Sequence, residues 1–150
     1  MRKNNSINQK IKIMIHCTST PEGREVSGEE IDKWHRDKGW QMAGYHYLIH
    51  LDGTIEHLRP EYMKAAACRV GDANQCGIHV CYVGGIRRKA DGSDEYADTR
   101  TAAQKTSLRF WITHLKEKYP QAKIVGHRDF DKGKACPCFD VKEYSFIGMM

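Results

Sequence analysis

The stretch 44-GYHYLIHLDGTIEHLRP-60 decides the fold. Two β-rich runs flank Asp52-Gly53, a dipeptide that favours a tight turn because glycine tolerates the backbone angles such turns demand. Side chains alternate along a strand, so Tyr45, Tyr47 and Ile49 are expected on one face and His46, Leu48 and His50 on the other. A hairpin this clear implies a sheet, and the rest of the chain can be read outward from it.

Upstream, 10-KIKIMIH-16 alternates isoleucine with lysine, methionine and histidine and predicts a strand over Lys10–His16. Between it and the hairpin, Ser27 and Glu30 stand at capping-box spacing. Ile31, Trp34 and Lys38 follow at helical intervals and Gly39 supplies a stop, so a helix is predicted over Gly28–Lys38.

Downstream, 77-GIHVCYVGG-85 is apolar on both faces and predicts a strand central in the sheet. Residues Arg87–Arg100 are charged and glycine-bearing and read as a surface loop. A second capping box, Thr101 and Gln104, opens a long amphipathic helix; Leu108, Trp111, Ile112 and Leu115 form its apolar stripe and Pro120 ends it. The segment 122-AKIVGH-127 predicts a last short strand. Alternating strands and helices with one hairpin give an α/β class: a single domain with a mixed central β-sheet flanked by helices. Residues 1–10 are polar and expected to form a flexible N-terminus, leaving 11–150 as the domain.

Composition narrows the function classes. A chain of 150 residues buries a sizeable core without disulfide staples. The six cysteines therefore read as free thiols or metal ligands, because no export signal precedes them. "IKIMI" is too short and too broken by lysine for a signal peptide, so synthesis in the cytoplasm is expected. No run approaches the roughly eighteen apolar residues of a membrane span. The formal charge of +5 is a mild bias suited to an anionic polymer. Basic and aromatic residues are not interleaved as in RNA-binding modules, so no nucleic-acid partner is expected.

One segment carries unusual chemistry: 126-GHRDFDKGKACPCFD-140 holds His127, Lys134, Cys136 and Cys138 in a stretch that cannot be a regular helix. It reads either as a surface loop with incidental cysteines or as one arm of a metal site. Catalytic zinc takes three protein ligands and keeps a fourth position open. His16 and His127 both fall at predicted strand ends, where open α/β sheets build their sites. On spacing alone the choice between Cys136 and Cys138 stays open.

Several segments together resemble the zinc-dependent N-acetylmuramoyl-L-alanine amidases of phage-lysozyme type, relatives of the peptidoglycan recognition proteins. In family order these are IHCTST, IDKWHRDKGW, GYHYLIHLDGTIE, VCYVGG, TAAQKTSLR, IVGHRDF and KACPCFD, running from Ile13 to Asp140. The resemblance implies Zn2+ held by His16, His127 and Cys136, with Tyr45 as the active-site tyrosine and Lys134 assisting it. It implies bacterial peptidoglycan as substrate and hydrolysis of the bond between N-acetylmuramic acid and L-alanine, as in an endolysin that acts on the cell wall after release or delivery. The alternative within the same fold is a non-catalytic peptidoglycan-binding module; the presence of all three ligand residues argues for the enzyme.

Other expectations follow. Many relatives carry a His-Ala-x-Gly-x-Asn segment along the substrate groove; here Cys68 stands near the place of its histidine, while Gly71 and Asn74 are kept. Asn74 is thus a candidate substrate contact, and His46 a second. Cys138 is expected to pack as a small hydrophobe, and Cys17 to be buried and inert on the strand face opposite His16. His50 and His79 are expected to be structural or surface residues, and the chain is expected to be a monomer.

Overall fold

The computed structural model describes residues 10–39, 43–68 and 71–148. Its elements are β1 (Lys12–Cys17), β2 (Thr20–Pro21), α1 (Gly28–Asp37), β3 (Tyr47–Ile49), β4 (Ile55–His57), α2 (Ala73–Cys76), β5 (Gly77–Tyr82), β6 (Gly85–Arg88), β7 (Asp94–Tyr96), α3 (Ala102–Lys118) and β8 (Lys123–Gly126). Short 3-10 turns follow at His127–Asp129 and Val141–Tyr144.

The main sheet has the order β4-β3-β5-β1-β8. Strands β3, β5, β1 and β8 run parallel, and β4 folds back antiparallel on β3, so the sheet is mixed, with β5 at its centre. The hairpin turn closes as its dipeptide requires: Gly53 takes φ +91°, and a Cβ there would lie 2.9 Å from the Ser107 hydroxyl of α3.

Alternation along the parallel strands makes two faces. Ile13, Ile15, Ile78 and Val80 pack with Leu108, Ile112 and Leu115 of α3, all fully buried. Each such side chain stabilises by about 1.5–3 kcal/mol. On the other face Leu48 and Cys81 pack with Ile31 of α1. Helices thus cover both sides, and both predicted capping boxes form, at Ser27 and at Thr101. Gln104 also reaches inward: its Nε2 donates to the carbonyls of Ile49 and Val83, tying α3 to the carboxyl ends of β3 and β5.

The structure corrects some boundaries. Strand β1 runs Lys12–Cys17 rather than Lys10–His16, because Cys17 still pairs with Tyr82 of β5. Lys10 is no frayed end: it is buried and its ammonium donates to the Gln75 carbonyl at 3.0 Å. The rest of the expected flexible N-terminus, residues 1–9, lies outside the described residues. The stretch Arg87–Arg100 is not all loop; β6 and β7 pair antiparallel there and join β2 in a three-stranded second sheet. Trp111 is only partly buried against the core. Tyr45 does not share the face of Tyr47: β3 begins at Tyr47, so alternation does not extend back to Tyr45, which packs instead with the Leu48 cluster.

Candidate active site at the carboxyl ends of the parallel strands

His16 is the fifth residue of β1, and the parallel register sets it opposite Cys81 of β5. His127 follows directly on β8, at the first position of a 3-10 turn. The two imidazoles meet with ring centroids 4.7 Å apart. The loop after His127 folds back on itself. The Asp129 carboxylate accepts the Gly126 N–H, and the Arg128 N–H donates to the Cys136 carbonyl at 2.8 Å. Cys136 is thereby returned to the end of β1, where its sulfur accepts the Cys17 N–H at 3.1 Å. Phe139 is held just beyond: the Arg100 guanidinium lies 3.5 Å from its ring centroid and is itself fixed by Asp98 and Glu143.

The result is one compact donor set. A ligand atom from each of His16, His127 and Cys136 lies within 4.8 Å of the others, and all three residues are buried. Two imidazoles and one thiol converging in this way suit a borderline-soft divalent ion such as zinc, with room left for a fourth ligand. Among the described residues Cys138 is outside this group. It is half-buried at φ +72°, with its sulfur 3.7 Å from that of Cys17. Cys17 is buried as expected, yet not a bystander, since its amide anchors Cys136. None of the six cysteines is in a disulfide.

Two cavities open beside the set, of about 240 and 360 Å³, and His127, Lys134 and Lys38 line both. Tyr45 lines the smaller one, its ring 5.1 Å from that of His16. Cys68 and Asn74 line the larger. Asn74 shapes that wall: its Oδ1 accepts the N–H groups of Ala67 and Cys68 at 2.9 and 3.0 Å. Lys134 is exposed at the groove.

Burial sets the protonation states. It drives His16 well below the usual histidine range, with the neighbouring His79, His127 and His46 adding to the effect. It raises Tyr45 well above the usual phenol value, with the sulfurs of Cys81, Cys136 and Cys17 adding to it, so the hydroxyl keeps its proton. Cys136 is pushed up, first by interaction with the Cys17 side chain and then by burial, while the Cys17 N–H pulls the other way.

His46 does not face the groove: it is fully buried, its Nδ1 accepts the His79 N–H and its Nε2 bonds to the Met63 carbonyl. His79 is buried, as expected of a structural residue, and its Nδ1 lies 2.8 Å from Nε2 of His16. The sequence signal was its place two residues before Cys81, but only the strand register turns that spacing into a neighbour of His16.

Comparison with known proteins follows the same outline. The family model described as N-acetylmuramoyl-L-alanine amidase matches residues 8–139. This chain belongs to that family. The amidase is 36% identical over 133 residues to the endolysin of Klebsiella phage KP32, covering 89% of this chain and 83% of that one. It is 37% identical over 132 residues to the endolysin of Escherichia phage T7, covering 88% and 83%. Among solved structures, the N-acetylmuramoyl-L-alanine amidase LysC from Clostridium intestinale matches with a TM-score of 0.73 at 25% identity, covering 92% of this chain and 85% of that one. Drosophila PGRP-LB, in complex with tracheal cytotoxin, shares the fold at a TM-score of 0.73 and 17% identity, covering 92% and 82%. The amidase is thus a hydrolase of bacterial peptidoglycan, acting on the amide between N-acetylmuramic acid and L-alanine. No helix among its described residues is long and apolar enough to cross a membrane.

Proposed function

We propose that the amidase works as a zinc enzyme of the endolysin kind, with His16, His127 and Cys136 as the metal ligands and Tyr45 and Lys134 acting on the substrate. The observation that carries this reading is the donor set itself, three ligand atoms within 4.8 Å of one another at the foot of a groove. When bound, the ion would supply Lewis acidity for the amide carbonyl and acidify a water toward neutrality. One thiolate and two neutral imidazoles leave a net charge near +1, so that acidity is tempered but kept.

The chain's own residues supply the rest. The Lys134 ammonium at the groove stabilises the oxyanion of the tetrahedral intermediate as a fixed positive charge. Tyr45, held as a neutral phenol by burial beside His16, orients the attacking water and relays that water's proton to the departing amine, taking one proton as it gives its own. The groove wall built by Asn74 and Cys68 receives the peptide side of the substrate. The phage endolysins among the relatives suggest lysis of the host wall as the setting, with the mildly basic chain drawn to an anionic wall.

Mass spectrometry of purified wall after digestion tests this, run beside metal analysis of the protein. The expected result is one zinc per chain and fragments cleaved between the lactyl group and L-alanine. Cleavage that persists undiminished after zinc has been stripped and verified absent would overturn the metal assignment.

A further inference from the structure

The face of the sheet that carries His16 buries two more imidazoles behind it. His16, His79 and His46 are exposed by 1% or less. Their hydrogen bonds can be followed proton by proton, because a carbonyl oxygen only accepts. His46 Nε2 lies 2.9 Å from the Met63 carbonyl and must donate to it. That leaves His46 Nδ1 as an acceptor, and it takes the His79 backbone N–H at 3.0 Å. His79 Nε2 lies 2.8 Å from the Ala73 carbonyl and likewise must donate. Its Nδ1 then holds a lone pair, which faces His16 Nε2 at 2.8 Å. His16 Nε2 is therefore the donor, and by elimination its lone pair is on Nδ1.

We infer that His79 is a positioning residue for the metal centre: the chain from the Ala73 carbonyl through His79 fixes His16 as the Nε2–H tautomer and leaves Nδ1 as the nitrogen offered to the ion. This rests on the zinc reading of the site. Among the described residues the His79 ring bonds to no carboxylate; its hydrogen-bond partners are the Ala73 carbonyl and His16. The backbone is shaped for the same bond. A Cβ on Gly77 would lie 2.5 Å from the Ala73 oxygen and 2.9 Å from His79 Nε2, so glycine there leaves the space the bond occupies. The parallel register aligns the pair, with Met14 opposite His79 and His16 opposite Cys81. Partners behind a metal-bound histidine hold its tautomer and ring orientation, and losing one typically costs about 10–100-fold in metal affinity.

Two substitutions separate the two ends of the His79 ring. His79→Asn keeps an acceptor at the place of Nδ1; His79→Gln keeps a donor at the place of Nε2 but offers His16 nothing. Zinc affinity is measured by chelator competition for native, His79→Asn, His79→Gln and His79→Ala protein. Long-range 1H–15N correlation spectra of the metal-free native chain report the His16 tautomer directly. The expected results are an Nε2–H tautomer at His16, near-native affinity for the Asn variant, and a loss of about 10–100-fold for the Gln and Ala variants. An Nδ1–H tautomer at His16 would overturn the proposal. So would equal affinity in all three variants, or equal loss in all three, since the latter would reflect packing alone. Where a variant does not fold, the spectrum of the native chain decides. A native chain that takes up no zinc would fault the metal assignment instead, and its metal-free spectrum would still report the tautomer.

Discussion

The two faces of one sheet behave as different materials. Toward α3 the strands present Ile13, Ile15, Ile78 and Val80, an apolar surface that Cys17 and Cys136 join only at its end beside the site. On the opposite face, toward α1 and α2, the same strands present Met14, His16, His79 and Cys81, and three buried imidazoles lie on or beside this side. Buried polar groups cost free energy unless hydrogen-bonded. His16, His79 and His46 all have partners, so the second face holds its imidazoles in a dry setting without leaving them unsatisfied. One face supplies cohesion and the other spends some of it on reactivity.

Substitutions on the two faces should therefore fail in different ways. The largest effect is expected from His127→Ala or Cys136→Ser, each losing zinc and reducing wall hydrolysis to background, as read by metal analysis and turbidity clearing. Tyr45→Phe should keep zinc and lower kcat by about 10²–10⁴-fold, the range of a lost general acid–base group. An unchanged rate would remove Tyr45 from the reaction. Ile15→Ala tests the other face. It should cost about 2–5 kcal/mol of stability in denaturant unfolding, while the rate per folded, zinc-loaded molecule stays native. A change in that rate would show that the faces are not independent.

The hairpin offers a finer test by pH. Burial holds His46 down at about 4, only partly opposed by the Met63 carbonyl. The unfolded chain, with histidine near 6.5, then takes up a proton first as acid is added. Stability should fall as pH drops from 6.5 toward 4, and His46→Gln should flatten that fall. His50 has the opposite sign. Burial pulls it down, but hydrogen bonds to Glu25 and Glu56 outweigh this and raise it. Its contribution should be fully present below the unfolded value and lost as pH rises through the folded one. His50→Gln should therefore lower the melting temperature at pH 5.5 and leave it unchanged at pH 8.5. The smallest effect is expected from Cys138→Ser, which should leave zinc content native; loss of zinc there would mean that the ligand sulfur had been misassigned.

Sequence alone determined the main elements, though not the second sheet formed around Arg87–Arg100, and its resemblance to a family named the candidate ligands. Capping boxes at Ser27 and Thr101, the Asp52-Gly53 turn and the apolar stripe of α3 are local signals, set by hydrogen bonds and side-chain periods within a few residues. His16, His127 and Cys136 stood out through the company of their motifs. Only the tertiary structure decided what meets what. Parallel pairing joins β1 to β5 across about sixty-five residues of chain, and its register, Met14 to His79 and His16 to Cys81, leaves no local trace. The same gap explains His46, a candidate groove residue that the assembled sheet buries completely, just ahead of the start of β3. A period of two tells which side a residue takes within a strand; the neighbour it finds there depends on how separate strands align, which is a property of the assembled sheet.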